Sequence, residues 1–288
     1  MRILLLTTVD SSPARFALCE RLIASIAAQR SPMFEVRHHV LIQNVHNAEL
    51  GRELAKTHPW LVFHRLQERV SLSRARNILL ERTNRSGDLG RADIVGFPDD
   101  DAWYPAPFLL ELSRLFGAPV QPDIFVCRYS SVPEVAEGVC TRAKKPSLLQ
   151  YVRCASSNTM FIRGDVIRKL GPFDEALGVG TPVPGAEDLD YALRARLIGQ
   201  RVYSLASAVV GHRDKSVALR AKYYSADLLV LMRHATNDTA HIALLGRKLM
   251  VGLYLIGIGR LSIAAWFHAL RKALESRNKP WPTVGGLS

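Results

Sequence analysis

Along the first 117 residues, short apolar runs alternate with stretches whose apolar positions recur at helical spacing. Residues 2–8 are apolar and β-rich, and they end at a turn, Val9-Asp10-Ser11-Ser12-Pro13. Residues 14–29 carry Phe16, Leu18, Leu22, Ile23 and Ile26 at helical intervals after a Ser/Pro start signal. Further strands are predicted at 34–43, 60–64 and 94–97, and helices at 49–57, 73–82 and 107–116. Strands alternating with helices predict a parallel α/β sheet with ligand groups at the carboxyl ends of its strands.

Beyond Pro119 the pattern changes. Strands are predicted at 123–130 and 157–163, a loop at 132–148, and a short helix at 164–170 closed by Gly171-Pro172. A loop punctuated by glycine and proline then leads to Gly185-Ala186-Glu187-Asp188-Leu189-Asp190. Leu189, Leu193 and Leu197 predict the buried face of a helix that Gly199 ends, and 201–206 and 208–210 complete the β material.

The chemistry concentrates in Phe97-Pro98-Asp99-Asp100-Asp101-Ala102-Trp103-Tyr104-Pro105, directly after a buried strand. Adjacent carboxylates repel, and at a strand end they call for a cationic partner. A hard dication such as Mg²⁺ or Mn²⁺ suits oxygen ligands and leaves positions for water and substrate phosphates. The plain alternative is a solvated acidic turn that caps the next helix. Neither a GxGxxG nor a GxxxxGKS loop is present, so phosphate chemistry would fall to a cation and arginines. Ser73-Arg74-Ala75-Arg76-Asn77, at a helix start, offers charge-assisted donors, or is simply a basic helix start capped by Ser73. Glu187 and Asp188 are either ordinary acidic residues at a helix start or include one carboxylate that removes a proton. His212, after the last strand, is a structural histidine or completes a metal or phosphate site.

Composition narrows the field. The 288 residues are 48% apolar and 22% charged, which is ordinary for a folded chain. The net charge of +12 is unevenly spread, because from Arg213 onward 12 basic side chains face 4 acidic ones. Such a segment favours a polyanion, either nucleic acid or an anionic membrane surface. Nucleic acid is disfavoured, since the basic residues are not interleaved with aromatics and no recognition motif appears. Cys19, Cys127, Cys140 and Cys154 form no CxxC pair and read as reduced thiols in a reducing, cytoplasmic compartment. Met1–Leu6 is too short an apolar run for a signal peptide. The uncharged run 249–259 is too short to span a bilayer. It fits an interfacial amphipathic helix with Trp266 and Phe267 as anchors and Arg260, Arg271 and Lys272 toward headgroups, or a helix packed on the main domain. Residues 276–288, with two prolines and two glycines, are expected to be disordered.

Taken in order, five motifs resemble an inverting GT-A glycosyltransferase of the family 2 type, closest to rhamnosyltransferase-like members. They are Ser73-Arg74-Ala75-Arg76-Asn77, Asp99-Asp100-Asp101 with Pro105 as a DxD motif, Gly171-Pro172-Phe173-Asp174-Glu175, Gly185-Ala186-Glu187-Asp188-Leu189-Asp190, and Gly211-His212. The resemblance implies a Rossmann-like mixed sheet over 1–214, with a nucleotide-binding half (1–117) and an acceptor half (118–214). A C-terminal helical, basic extension (215–275) follows. It implies a nucleotide-sugar donor, a saccharide or lipid-linked saccharide acceptor, Mn²⁺ or Mg²⁺, and a role in cell-surface polysaccharide synthesis. An anionic membrane surface, on the cytoplasmic face of the inner membrane, is expected to contact the C-terminal region. Asp101 would ligate the metal with Asp99, and Asp100 could share that duty. Asp99 would lie toward the ribose, Asp99 and Asp100 would also contact the donor, and His212 would stand near metal or diphosphate. Thr7, Thr8, Asp10, Arg74, Arg76 and Asn77 would belong to the donor pocket, and Asp188 would be the base, with Glu187 its neighbour or substitute. Two departures stand out: Gly-Ala-Glu-Asp replaces the commoner Gly-Gly-Glu-Asp, and no aspartate follows Gln43-Asn44. The rival activities are a sugar nucleotidyltransferase, which would want a glycine-rich loop that residues 7–15 lack, and a degenerate, non-catalytic transferase.

Overall fold

The structure, a computed structural model, describes residues 1–47, 49–214, 216–235 and 238–277. Its elements in the first half are β1 (Arg2–Asp10), α1 (Pro13–Ala27), β2 (Glu35–Gln43), α2 (Arg52–Thr57), β3 (Leu61–Arg65), α3 (Leu72–Arg85), α4 (Asp88–Arg91), β4 (Ile94–Gly96) and α5 (Phe108–Gly117). The second half adds β5 (Ile124–Ser130), α6 (Val139–Arg142), α7 (Leu148–Cys154), β6 (Met160–Arg163), α8 (Gly164–Leu170), α9 (Glu187–Ile198) and β7 (Val202–Gly211). Four helices close the described chain: α10 (Val217–Lys222), α11 (Tyr224–Arg233), α12 (Thr239–Gly257) and α13 (Ile263–Ser276).

The seven strands form one sheet in the order β3-β2-β1-β4-β6-β5-β7. All pairs are parallel except those of β6, which runs antiparallel to both β4 and β5. β1 is nearly continuous in apolar residues because both of its faces are covered. Ile3, Leu5 and Val9 join the core beneath α1 and α5, while Leu4 and Leu6 join the opposite core with α3, α8 and α9. The period of two thus divides one strand between two layers.

Three differences from the sequence pattern have physical causes. Residues 157–159 form a 3₁₀ turn rather than strand, so β6 keeps only its four-residue apolar run. The two expected strands at the C-terminal side are one strand, β7, whose register against β5 shifts between Val126 and Tyr129. In α9, Leu193 is buried but Leu197 is 74% exposed, because the helix is embedded through Asp190, Tyr191, Ala192 and Arg194 instead.

The C-terminal helices have their own core, in which Tyr224, Leu228, Leu244, Leu255 and Ala269 meet Leu148 of α7 and Leu193 of α9. α12 is long and apolar enough to cross a membrane by length and composition, and 17% of its apolar window is buried. This differs from the reading of an eleven-residue run, since the helix extends through Arg247 and Lys248, and Lys248 is held by Asp227 at 2.6 Å. Trp266 turns inward onto Gly252, where an added Cβ would lie 2.4 Å from the indole Nε1, so of the two expected anchors only Phe267 (59% exposed) faces outward. Beyond residue 277, the tail expected to be disordered lies outside the described residues.

Candidate active site

The acidic turn follows β4, and the end of β7 is fastened beside it. Trp103 N–H donates to Gly211 O (2.9 Å) and Gly211 N–H to Trp103 O (2.8 Å). The Trp103 indole lies directly on Gly211, where a Cβ would come within 2.0 Å of the ring, so only glycine permits this approach. The next residue, His212, is thereby brought to the aspartates. Its Nδ1 lies 2.9 Å from Arg213 O. A carbonyl can only accept, so Nδ1 carries the proton and Nε2 presents a lone pair.

That lone pair faces Asp101 Oδ1 at 3.1 Å and Asp99 Oδ2 at 3.8 Å. Both Asp101 Oδ1 and His212 Nε2 are buried without a hydrogen bond among the described residues. Two buried acceptors aimed at one another are unfavourable unless a proton or a metal cation lies between them. One ligand atom each from Asp99, Asp101 and His212 falls within 4.8 Å of the others, and this oxygen-rich set with one imidazole suits Mn²⁺ or Mg²⁺. Without a metal ion, a second proton on His212 fills that place: burial pushes the Asp101 carboxyl up, but the protonated imidazole and the guanidiniums of Arg213 and Arg15 outweigh it and hold the group at about 2. Burial in turn lowers the His212 imidazole less than Asp101 and Asp99 raise it. Asp100 turns the other way, into a two-pronged pair with Arg15 on α1.

Arg76, 2% exposed, joins this cluster to the first turn of α9. Its guanidinium donates to Asp99 Oδ1 (3.1 Å) and Asp188 Oδ1 (2.7 Å), and it lies 3.7 Å from Glu187 Oε1. Ser157 makes the same connection, its hydroxyl donating to Asp99 Oδ1 (3.2 Å) and its N–H to Asp188 Oδ2 (3.0 Å). Asn158 fixes Asp99 twice, donating to its carboxylate at 3.0 Å and accepting its backbone N–H at 2.6 Å. Burial, then the charge of Asp188, push the Glu187 carboxyl up to about 7 against the pull of Arg76. One Glu187 oxygen is buried and unpartnered among the described residues.

The backbone entering α9 is unusual. Gly185 has φ +103 and lies so close to Tyr223 that a Cβ would be 2.6 Å from its ring. Ala186, the N-cap, takes φ 63, a left-handed conformation that a glycine would adopt without steric cost. The departure from Gly-Gly-Glu-Asp therefore falls on a residue whose left-handed backbone strains a side chain.

The structure brings Asp99, Asp101, His212, Arg76, Asp188 and Glu187 together around one site. The other sequence-selected residues are placed differently. Thr7 is fully buried, its hydroxyl donating to Pro98 O (3.0 Å) and meeting His38 Nε2 (2.9 Å), so it supports the acidic turn from beneath. Thr8 is half-buried near the end of β1, and Asp10 accepts from Ser12 N at 2.9 Å. Arg74 is paired with Glu175 at 3.2 Å. Asn77 binds Phe173 through both backbone groups, at 3.0 and 2.7 Å, and so clamps the loop after Gly171. Arg15, Ser157 and Asn158 were missed from sequence, because they carry no motif and reach the site only through the fold.

The fold is the GT-A fold, shared with glycosyltransferases of known structure. Among solved structures it is similar to Staphylococcus aureus TarS (residues 1–349) in complex with UDP-GlcNAc, with a TM-score of 0.69 and 16% identity over 96% of this chain and 81% of that one. Against a longer TarS structure the TM-score is 0.68 at 16% identity, with 96% of this chain and 49% of that chain covered. The mannosyltransferase PcManGT from Pyrobaculum calidifontis, in complex with GDP-Man and Mn²⁺, matches with a TM-score of 0.56 and 16% identity over 98% of this chain and 76% of that one. No family model and no curated protein matches the sequence.

Proposed function

We propose that the chain is an inverting, dication-dependent glycosyltransferase that moves a sugar from a nucleotide-diphosphate donor to a hydroxyl of a saccharide or lipid-linked saccharide. The observation that carries this reading is the continuous link Asp101–His212–Asp99–Arg76–Asp188, which joins the acidic turn to the first turn of α9. Asp99, Asp101 and His212 would hold Mn²⁺ or Mg²⁺, which when bound supplies neutralisation of the charge that develops on the departing diphosphate. The neighbouring guanidiniums of Arg15 and Arg213 add positive charge at the same place. UDP-GlcNAc in the TarS complex and GDP-Man in the PcManGT complex support a nucleoside diphosphate as the leaving group.

Asp188 is the base in this reading, since its side chain is 23% exposed against 8% for Glu187. It takes the proton of the acceptor hydroxyl. The acceptor oxygen bonds to the anomeric carbon as the bond to the diphosphate oxygen breaks, and that electron pair leaves with the diphosphate. One displacement inverts the anomeric configuration. Arg76 and Ser157 hold the Asp188 carboxylate in place for the transfer.

The exposed apolar residues Met250, Leu253, Tyr254, Ile258 and Phe267, flanked by Arg247, Arg260 and Arg271, support contact with an anionic membrane surface, as a lipid-linked acceptor in surface-polysaccharide synthesis would require. In this reading the protein works at the cytoplasmic face of the inner membrane. The test of the site is titration of UDP and GDP with and without Mn²⁺. Asp101→Ala should abolish the dication-dependent part of nucleotide binding in whichever nucleotide the unaltered protein prefers, and unaltered Mn²⁺ dependence in that variant would overturn the site.

A further inference from the structure

Two side chains at the end of α11 reach back into the catalytic half. Arg233 Nη1 donates to Asp174 Oδ2 at 2.7 Å, with both side chains about nine-tenths buried. His234 Nε2 lies 3.2 Å from Asp190 Oδ1, and Asp190 is completely buried. A carboxylate accepts, so that imidazole nitrogen carries the proton.

These two anchor points belong to one connected body. Asp190 sits in the first turn of α9, two residues after Asp188, and also accepts Arg194 Nε at 2.8 Å. Arg194 donates onward to Leu170 O (3.3 Å) and Pro172 O (3.0 Å). The following Phe173 stacks on Tyr191 of α9 at 3.8 Å, and the Arg76 guanidinium lies 5.2 Å from its ring. Removing His234 leaves one oxygen of a fully buried carboxylate without its partner while Arg194 keeps the other, which favours movement of the turn that holds Asp190.

We infer that His234 and Arg233 are positioning residues: the C-terminal helices set the first turn of α9, and with it the direction in which Asp188 and Glu187 present their carboxylates to Arg76. The C-terminal region is then part of the catalytic apparatus as well as an attachment surface. This rests on the transferase reading for its kinetic consequence but not for its structural one, and the two are measured separately.

The experiment uses the full chain with His234→Ala, His234→Gln and Arg233→Ala. Gln retains an N–H donor for Asp190. Amide hydrogen exchange over residues 186–192 should accelerate at least tenfold in His234→Ala, with the strands β1 and β4 unchanged, and His234→Gln should recover most of the protection. A displacement of about 1 Å at the base can cost on the order of 100-fold in rate, so kcat should fall to that degree while the donor KM changes less than threefold. Arg233→Ala should act in the same direction. Unchanged exchange in His234→Ala, a parallel loss of donor affinity and kcat, or a Gln variant as impaired as the Ala variant would each overturn the inference. Should the unaltered protein transfer no sugar, the exchange measurement still decides whether the clamp exists.

Discussion

Glu187 makes the most quantitative prediction. Its carboxyl is held among Asp188, Asp99 and a single shared guanidinium, and it titrates near 7 in place of its ordinary 4.5, first because it is buried and then because Asp188 is charged beside it. The folded protein therefore binds this proton more tightly than the unfolded chain does. The stability it contributes is complete below about pH 4.5 and is lost as the pH rises through 7. Each unit between the folded and unfolded values is worth roughly 1.4 kcal/mol, so the gap amounts to about 3 kcal/mol. Glu187→Gln keeps the shape and removes the titration. With a chelator present to exclude dications, the variant should gain about 3 kcal/mol relative to the unaltered protein between pH 4.5 and pH 8. Urea denaturation at a series of pH values measures this directly, because contributions from groups remote from Glu187 cancel in the difference. A stability difference that does not vary with pH would refute the placement of a strained, buried carboxyl at the start of α9.

Two other predictions test the surroundings of the site. Ala186→Gly relieves a left-handed alanine and should raise stability by about 1 kcal/mol, or roughly 2–3 °C in Tm; an unchanged or lowered Tm would show that the conformation carries no strain. The protein should float with anionic liposomes at low salt and be released at high salt, and Phe267→Glu, at an exposed position of α13, should weaken the association at least tenfold. Absence of flotation at low salt would remove the membrane from the account.

Much of the fold was legible because β1 and β4 are covered on both faces and carry short apolar runs, and β2 keeps such a run over Val40, Leu41 and Ile42. The acidic turn announced itself by three adjacent carboxylates that no ordinary turn needs. Other features depend on contacts far apart in sequence. Ser157 and Asn158 look like the start of a strand until the fold sets them against Asp99, 58 and 59 residues away. Arg15 is one of many arginines until α1 places it on Asp100, 85 residues on. The reversed direction of β6 leaves no trace in a four-residue apolar run. α7 did leave a local signal: Ser147 and Gln150 form a capping box, the Ser-x-x-Gln spacing that marks a helix start. Leu197 misled because helical spacing identifies an apolar stripe, whereas α9 is buried through an ion pair and a stacked tyrosine as much as through leucines.

The central claim is that Asp188 removes the acceptor's proton in a single displacement at a site whose donor is held independently of it. The most direct measurement follows the anomeric configuration of product by NMR, from an α-linked nucleotide sugar, for the unaltered protein and Asp188→Asn. A β-linked product from the unaltered protein, and none from a variant that still binds nucleotide with Mn²⁺ dependence, is the predicted result. Retention of the α configuration, or undiminished turnover by Asp188→Asn, would contradict it.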